Sequence, residues 1–201
     1  MFKKVPSLRF EGQDEDLITL HPSTNIPRKS NIEIPQGYHL VLLNKDGTSE
    51  LIKNQYNYVV PEPISFVYYV KGHQGVHKSN WGTRTRLNVK TADNTLMTLG
   101  GYGNIEWKIT NPIQLITRRL EDYKTINKHD IAQILLDRIP AILQEIINKQ
   151  PAINPSEVSS IIDTIRPQVK KSLNDYLHQS GIEVDDLVIE HINFQLLEEE
   201  E

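Results

Sequence analysis

The chain has 201 residues, a net charge of −4, 38% apolar residues and no cysteine. That length supports one good core or two small subdomains, and the charge argues against a general nucleic-acid binder, which carries a basic face. Without cysteine there is neither a disulfide framework nor a Cys-type zinc site, which fits the cytoplasm better than secretion.

The opening stretch, MFKKVPSLRFEGQDED, has two lysines but no apolar core before its acidic residues, so it does not read as a signal peptide. No apolar run approaches the roughly 18–20 residues that span a bilayer. Residues 1–16 are expected to be a poorly ordered extension. Leu17–Leu20 is a short β-prone run, and the polar, proline-bearing 21–30 segment is a loop. Ile32-Glu33-Ile34 alternates, and Tyr38–Leu43 is a nearly continuous apolar strand. Asn44-Lys45-Asp46-Gly47 carries the Asp-Gly signal of a tight hairpin, with Leu51-Ile52 as the return strand.

Tyr56–Val60 and the aromatic, β-branched Ile64–Val70 are further strands, and Lys71–Ser79 is a glycine-bearing loop or hairpin end. Thr83–Val89 and the alternating stretch through Ile105, Trp107 and Ile109 form a hairpin about the turn Ala92-Asp93-Asn94. By Thr110 there are about seven or eight short strands, too evenly spaced for βαβ units, so an antiparallel meander is expected.

Asn111-Pro112 caps and opens a short helix to Leu120, with Arg118 and Arg119 suited to its last turn. A longer helix over Asn127–Lys149 carries an apolar stripe, which Pro140 is expected to kink or divide near Arg138. Asn154-Pro155 opens another helix, with Pro167 as a second bend and Gly181 as its left-handed cap. Ile182–Phe194 is a late strand whose alternation slips at Asp185-Asp186, which predicts a bulge. Strands, helices and one returning strand make the fold class α+β. The division expected is an extension over 1–16, one domain over 17–194 (β-rich 17–110, helical 112–180, final strand 182–194), and an acidic tail over 195–201.

Ser180-Gly181-Ile182-Glu183-Val184-Asp185-Asp186-Leu187-Val188-Ile189 resembles the strand that follows the long helix in the stomatin/prohibitin/flotillin (SPFH, or band 7) domain. Tyr102–Pro112 resembles that family's strand ending in an Asp/Asn-Pro helix opening, and Ile32–Gly47 its first strand pair. Together these cover about residues 17–194 in order. The Trp81-Gly82-Thr83 element, with His21-Pro22 through Asn31 as lead-in, is most similar to the bacterial virion core protein-like branch. The resemblance implies a non-catalytic scaffold that assembles into large homo-oligomers, often on a membrane. Two departures stand out: many members carry an N-terminal membrane anchor or a long coiled coil, and neither is visible here.

Candidates for chemistry each have a plainer account. His73 and His77 have a metal-capable spacing on a helix, but two glycines make a polar loop the better expectation. Gly100-Gly101-Tyr102-Gly103 lacks phosphate-loop spacing and precedes a strand, so its glycines are expected to admit a close neighbour or a bulge. Trp81, Arg84, Arg86 and Lys90 could form a basic-aromatic patch, though the arginines more simply line the wet face of a strand. Glu183, Asp185 and Asp186 lack an identifiable catalytic partner. No catalytic, cofactor or metal residue is therefore assigned.

The functional expectation is a self-associating scaffold, homo-oligomeric through sheet edges or a helix flank, with domains packing head to tail into a ring or array. A membrane-protein partner or lipid surface is expected rather than nucleic acid, from a cytoplasmic, peripherally attached position. The alternative is a monomeric adaptor that binds a peptide or small ligand through the Lys71–Asn80 loop.

Overall fold

The computed structural model of the chain describes residues 6–13, 15–72, 75–119, 125–151, 153 and 158–197. In chain order the strands are β1 (Ser7–Leu8), β2 (Asp16–Leu20), β3 (Asn31–Glu33), β4 (Tyr38–Leu43), β5 (Ser49–Ile52), β6 (Asn57–Val59), β7 (Phe66–Lys71), β8 (His77–Gly82), β9 (Leu87–Lys90) and β10 (Leu96–Ile109). Helix α1 (Pro112–Arg119), β11 (Thr125–Asn127), α2 (Lys128–Asn148), α3 (Val158–Leu177) and β12 (Ile182–Leu196) follow. The fold is α+β, and its last strand returns to a sheet. The chain forms two compact units: Met1–Gly75 with Thr110–Asp130, and Val76–Ile109 with Ile131–Glu201.

The first unit holds an antiparallel five-stranded sheet, ordered β11-β2-β7-β4-β5, and a three-stranded sheet, ordered β1-β3-β6. The tight β4–β5 hairpin forms where Asp-Gly predicts it. Gly47 takes a φ of 85°, and Asp46 Oδ1 accepts from the Thr48 backbone at 2.9 Å. Apolar faces of both sheets close the core: Ile32, Leu40, Val60 and Val67 are fully buried. Where residues 1–16 were expected to have little order, Ser7–Leu8 pair in parallel with Asn31–Ile32, and Leu8 is buried. Phe10 rests on Tyr38 and Tyr69, with ring centroids 4.6 and 5.2 Å apart. β11 has no counterpart in the sequence reading.

In the second unit β10 is the spine, paired antiparallel with β12 on one side and with β8 and then β9 on the other. Two expectations are corrected here. The loop set over Lys71–Ser79 ends earlier, because β8 starts at His77; and Thr83–Arg86 is a bend between β8 and β9 rather than the start of a strand. Pro140 and Pro167 both lie inside helices that continue past them, so α2 is not divided near Arg138. Burial of Ile139, Ile142 and Leu143 on α2, and of Ile165 and Val169 on α3, holds helical backbone on both sides of each ring. Gly181, at φ 65°, ends the helical stretch as its left-handed cap. Asn154-Pro155 lies outside the described residues.

Candidate interaction edge

β12 runs for 15 residues along the border of the four-stranded sheet, paired only with β10 among the described residues. Two bulges interrupt that pairing. Between Glu106↔Asp186 and Trp107↔Val184, Asp185 is the extra residue, at the slip the sequence predicts; between Tyr102↔His191 and Gly103↔Ile189, Glu190 is the extra residue. From His191 to Leu196 the ladder is unbroken, facing Tyr102 to Met97.

Antiparallel pairing points alternate backbone groups inward and outward. The Leu197 N–H donates to the Leu96 carbonyl at 3.1 Å, which sets Ile192, Phe194 and Leu196 as the residues whose N–H and C=O face away from β10. On the opposite side of the spine, Gly101 O accepts from the Thr83 N–H at 2.9 Å, as that phase requires.

Helix α3 closes the first part of this border. Asn174 accepts from the Val184 N–H at 2.7 Å and donates to the Val184 carbonyl at 3.1 Å. One turn earlier, Lys170 Nζ donates to the Asp185 carbonyl. A bidentate amide and an ammonium thus occupy the groups a new strand would use there.

The residues singled out for chemistry are engaged within the unit. Lys108 Nζ sits 2.7 Å from Asp185 and 3.5 Å from Glu183. Its hydrogen bond and charge hold the Asp185 carboxyl below the usual range, and Asp185 in turn raises the Lys108 ammonium. Asp186 Oδ1 accepts from the Leu187 N–H at 2.9 Å, apart from the Lys108 contacts of the other two carboxylates. Arg84 reaches Gln133 at 3.3 Å and Asp137 at 3.9 Å; Arg86 donates to Thr98 at 3.0 Å and Asn193 at 3.3 Å. Trp81 is buried and so lends the basic-aromatic patch no exposed ring, whereas Arg84, Arg86 and Lys90 are all exposed, as foreseen for the wet face.

The glycine cluster lies in β10 opposite the second bulge, with Gly103 admitting the Trp81 indole and the Val188 carbonyl as a close neighbour. His73 lies outside the described residues, and His77 rests against Trp107 with ring centroids 4.5 Å apart. Arg118 occupies the last turn of α1. Among the described residues no group of three or more His, Asp or Glu is placed to hold a metal, and no helix is long and apolar enough to cross a membrane. A cavity of about 620 Å³ in the first unit is lined by Arg9, Phe10, Glu33, Ile34, Pro35, Tyr56 and Asn57, and Arg9 and Glu33 pair with each other at 3.2 Å.

The family model for the SPFH domain / Band 7 family matches residues 32–195, most of both units. The chain belongs to that family. No curated protein matches it. Members of the SPFH family are in general membrane-associated, non-enzymatic scaffolds. The matched span ends within β12, so the long border strand is part of the SPFH domain itself. The sequence signal that marks its second bulge is the step from Ile189 to Ile192, which breaks the two-residue period again.

Proposed function

We propose that this SPFH domain is a non-catalytic scaffold that self-associates or organises partner proteins, reaching a membrane peripherally through a partner or a lipid surface. The family match over residues 32–195 carries the reading. The surface hydrogen bonds and ion pairs that Lys108, Arg84, Arg86 and the three carboxylates make within the unit support it, because they give these residues a structural account. So does the apolar end of the four-stranded sheet, where Leu96, Leu196 and Leu197 are each more than two-fifths exposed. Within the family, Trp81-Gly82-Thr83 supports placement in the bacterial virion core protein-like branch.

Light scattering on a sizing column over a wide concentration range tests the scaffold reading. A mass above the 23.1 kDa of one chain, rising with concentration, is expected. A strict monomer would overturn self-association. In the adaptor alternative the proposed Lys71–Asn80 site includes the start of β8, His77–Asn80.

A further inference from the structure

The outer border of β12 differs along its length. Its first part is shut by Asn174 and Lys170 and flanked by Glu183, Asp185, Asp186 and Glu190. From His191 to Leu197 there is no Asp, Glu, Lys, Arg or Pro, which are the residues that keep sheet edges from pairing. Over that stretch the backbone stays in regular register, and its outward groups at Ile192, Phe194 and Leu196 have no partner among the described residues.

We propose that two copies of this chain join through this border, antiparallel over His191–Leu197 and centred on Phe194. The inference rests on the reading of the chain as a self-associating domain and names its contact. The occupant is a second copy because the stretch is complementary to itself. About Phe194, the outward groups of Ile192 meet those of Leu196, and Phe194 meets its own equivalent. Side chains match in the same register: Ile192 lies beside Leu196, and Asn193 beside Gln195. The Leu196 side chain, 53% exposed in the single chain, gains an apolar neighbour, and no like charges meet within the stretch. Two four-stranded sheets become one continuous sheet, and the contact is isologous rather than head to tail.

The absence of cysteine allows a direct test. In this register residues 193 and 195 form a non-hydrogen-bonded pair, whose Cα separation of about 4.5 Å suits a disulfide. The full-length Asn193→Cys and Gln195→Cys chains, mixed and mildly oxidised, are expected to give a mixed disulfide dimer. Leu196→Pro removes an outward N–H and leaves the bonds to β10 in place; Gln195→Lys sets a charge beside the partner's Asn193 and the Arg86 that it accepts from. Both are expected to lower the associated mass, whereas Lys171→Glu on the exposed face of α3 leaves it unchanged. An associated wild-type chain whose mass ignores both edge variants, with no mixed disulfide, overturns this contact and leaves the scaffold reading standing. A wild-type chain that stays monomeric throughout overturns both.

Discussion

The indole N–H of Trp81 on β8 donates to the carbonyl of Val188 on β12 at 3.1 Å, across the intervening strand β10. It does so over Gly103. A Cβ at that position would lie 2.0 Å from Val188 O and 3.0 Å from Trp81 Nε1. The missing side chain therefore lets a tryptophan join two strands that are not neighbours, beside the bulge at Glu190. Trp81 is 4% exposed, so its polar atom needs this partner.

Gly103→Ala is accordingly expected to destabilise the chain by about 2–4 kcal/mol, because backbone rather than a flexible side chain must move. Trp81→Phe, which loses mainly the hydrogen bond, is expected to cost about 1–2 kcal/mol. Gly82→Ala meets only ordinary contact, at 3.5 Å from Tyr102, and is expected to stay within about 0.5 kcal/mol of the wild type. Urea denaturation of the three variants checks the order. A Gly103→Ala chain as stable as Gly82→Ala would remove the close-approach account.

His21 makes stability depend on pH. It is 6% exposed, and its Nδ1 accepts from the Ser23 N–H at 3.0 Å. Burial lowers its pKa below 6.5, outweighing the Glu11 charge and backbone hydrogen bonds that raise it. The unfolded chain therefore takes up the proton first as pH falls. The stabilisation is complete above 6.5 and is lost as pH drops from there toward the lower folded-state value. The urea midpoint of the wild type should decline between about pH 7 and 5.5, and His21→Gln should decline less over that window. Equal slopes would mean that another group carries the titration.

Much of this arrangement is legible in the sequence, and the limits are physical. Local signals survive: Asp46-Gly47 makes its hairpin, Asn111 Oδ1 accepts from Ile113 and Gln114 N–H at 3.1 and 3.2 Å, and the slip at Asp185 is a bulge. The family's strand patterns are legible for the same reason. Signals that depend on distant partners do not survive. Thr83–Arg86 has a strand's composition, yet it bends where Arg84 turns to α2 and Arg86 to β10 and β12. Pro140 leaves a division of α2 open in the sequence until the burial of Ile139, Ile142 and Leu143 around it is seen. Asn174 reads as one polar helix residue among several, because its partner is the backbone of a later strand.

A capping box starts α2. Asn127 Oδ1 accepts from the His129 and Asp130 N–H groups at 2.8 and 3.1 Å, and Asp130 Oδ2 accepts from the Asn127 N–H at 2.8 Å. Asn127→Ala is expected to cost about 1 kcal/mol, and Asn127→Ser to recover most of it. Thermal unfolding followed by circular dichroism would show this as a lower midpoint for the alanine variant alone. Equal midpoints for Ala and Ser would indicate that the cap contributes nothing.

Asn174 is the residue on which the closed part of the β12 border depends. Its side chain replaces, for Val184, both hydrogen bonds that a neighbouring strand would supply, and it also ties α3 to the sheet. Asn174→Ala is expected to cost about 1–3 kcal/mol, since it leaves two backbone groups of a buried residue unpaired. Asn174→Asp keeps the acceptor for the Val184 N–H but places a carboxylate against the Val184 carbonyl, so it should recover only part of that loss. Amide hydrogen exchange separates this from general weakening. Val184 should lose protection far more than Leu99, which lies on β10 away from the helix. If both amides lose protection equally, Asn174 acts through global stability and the border has no local lock at Val184.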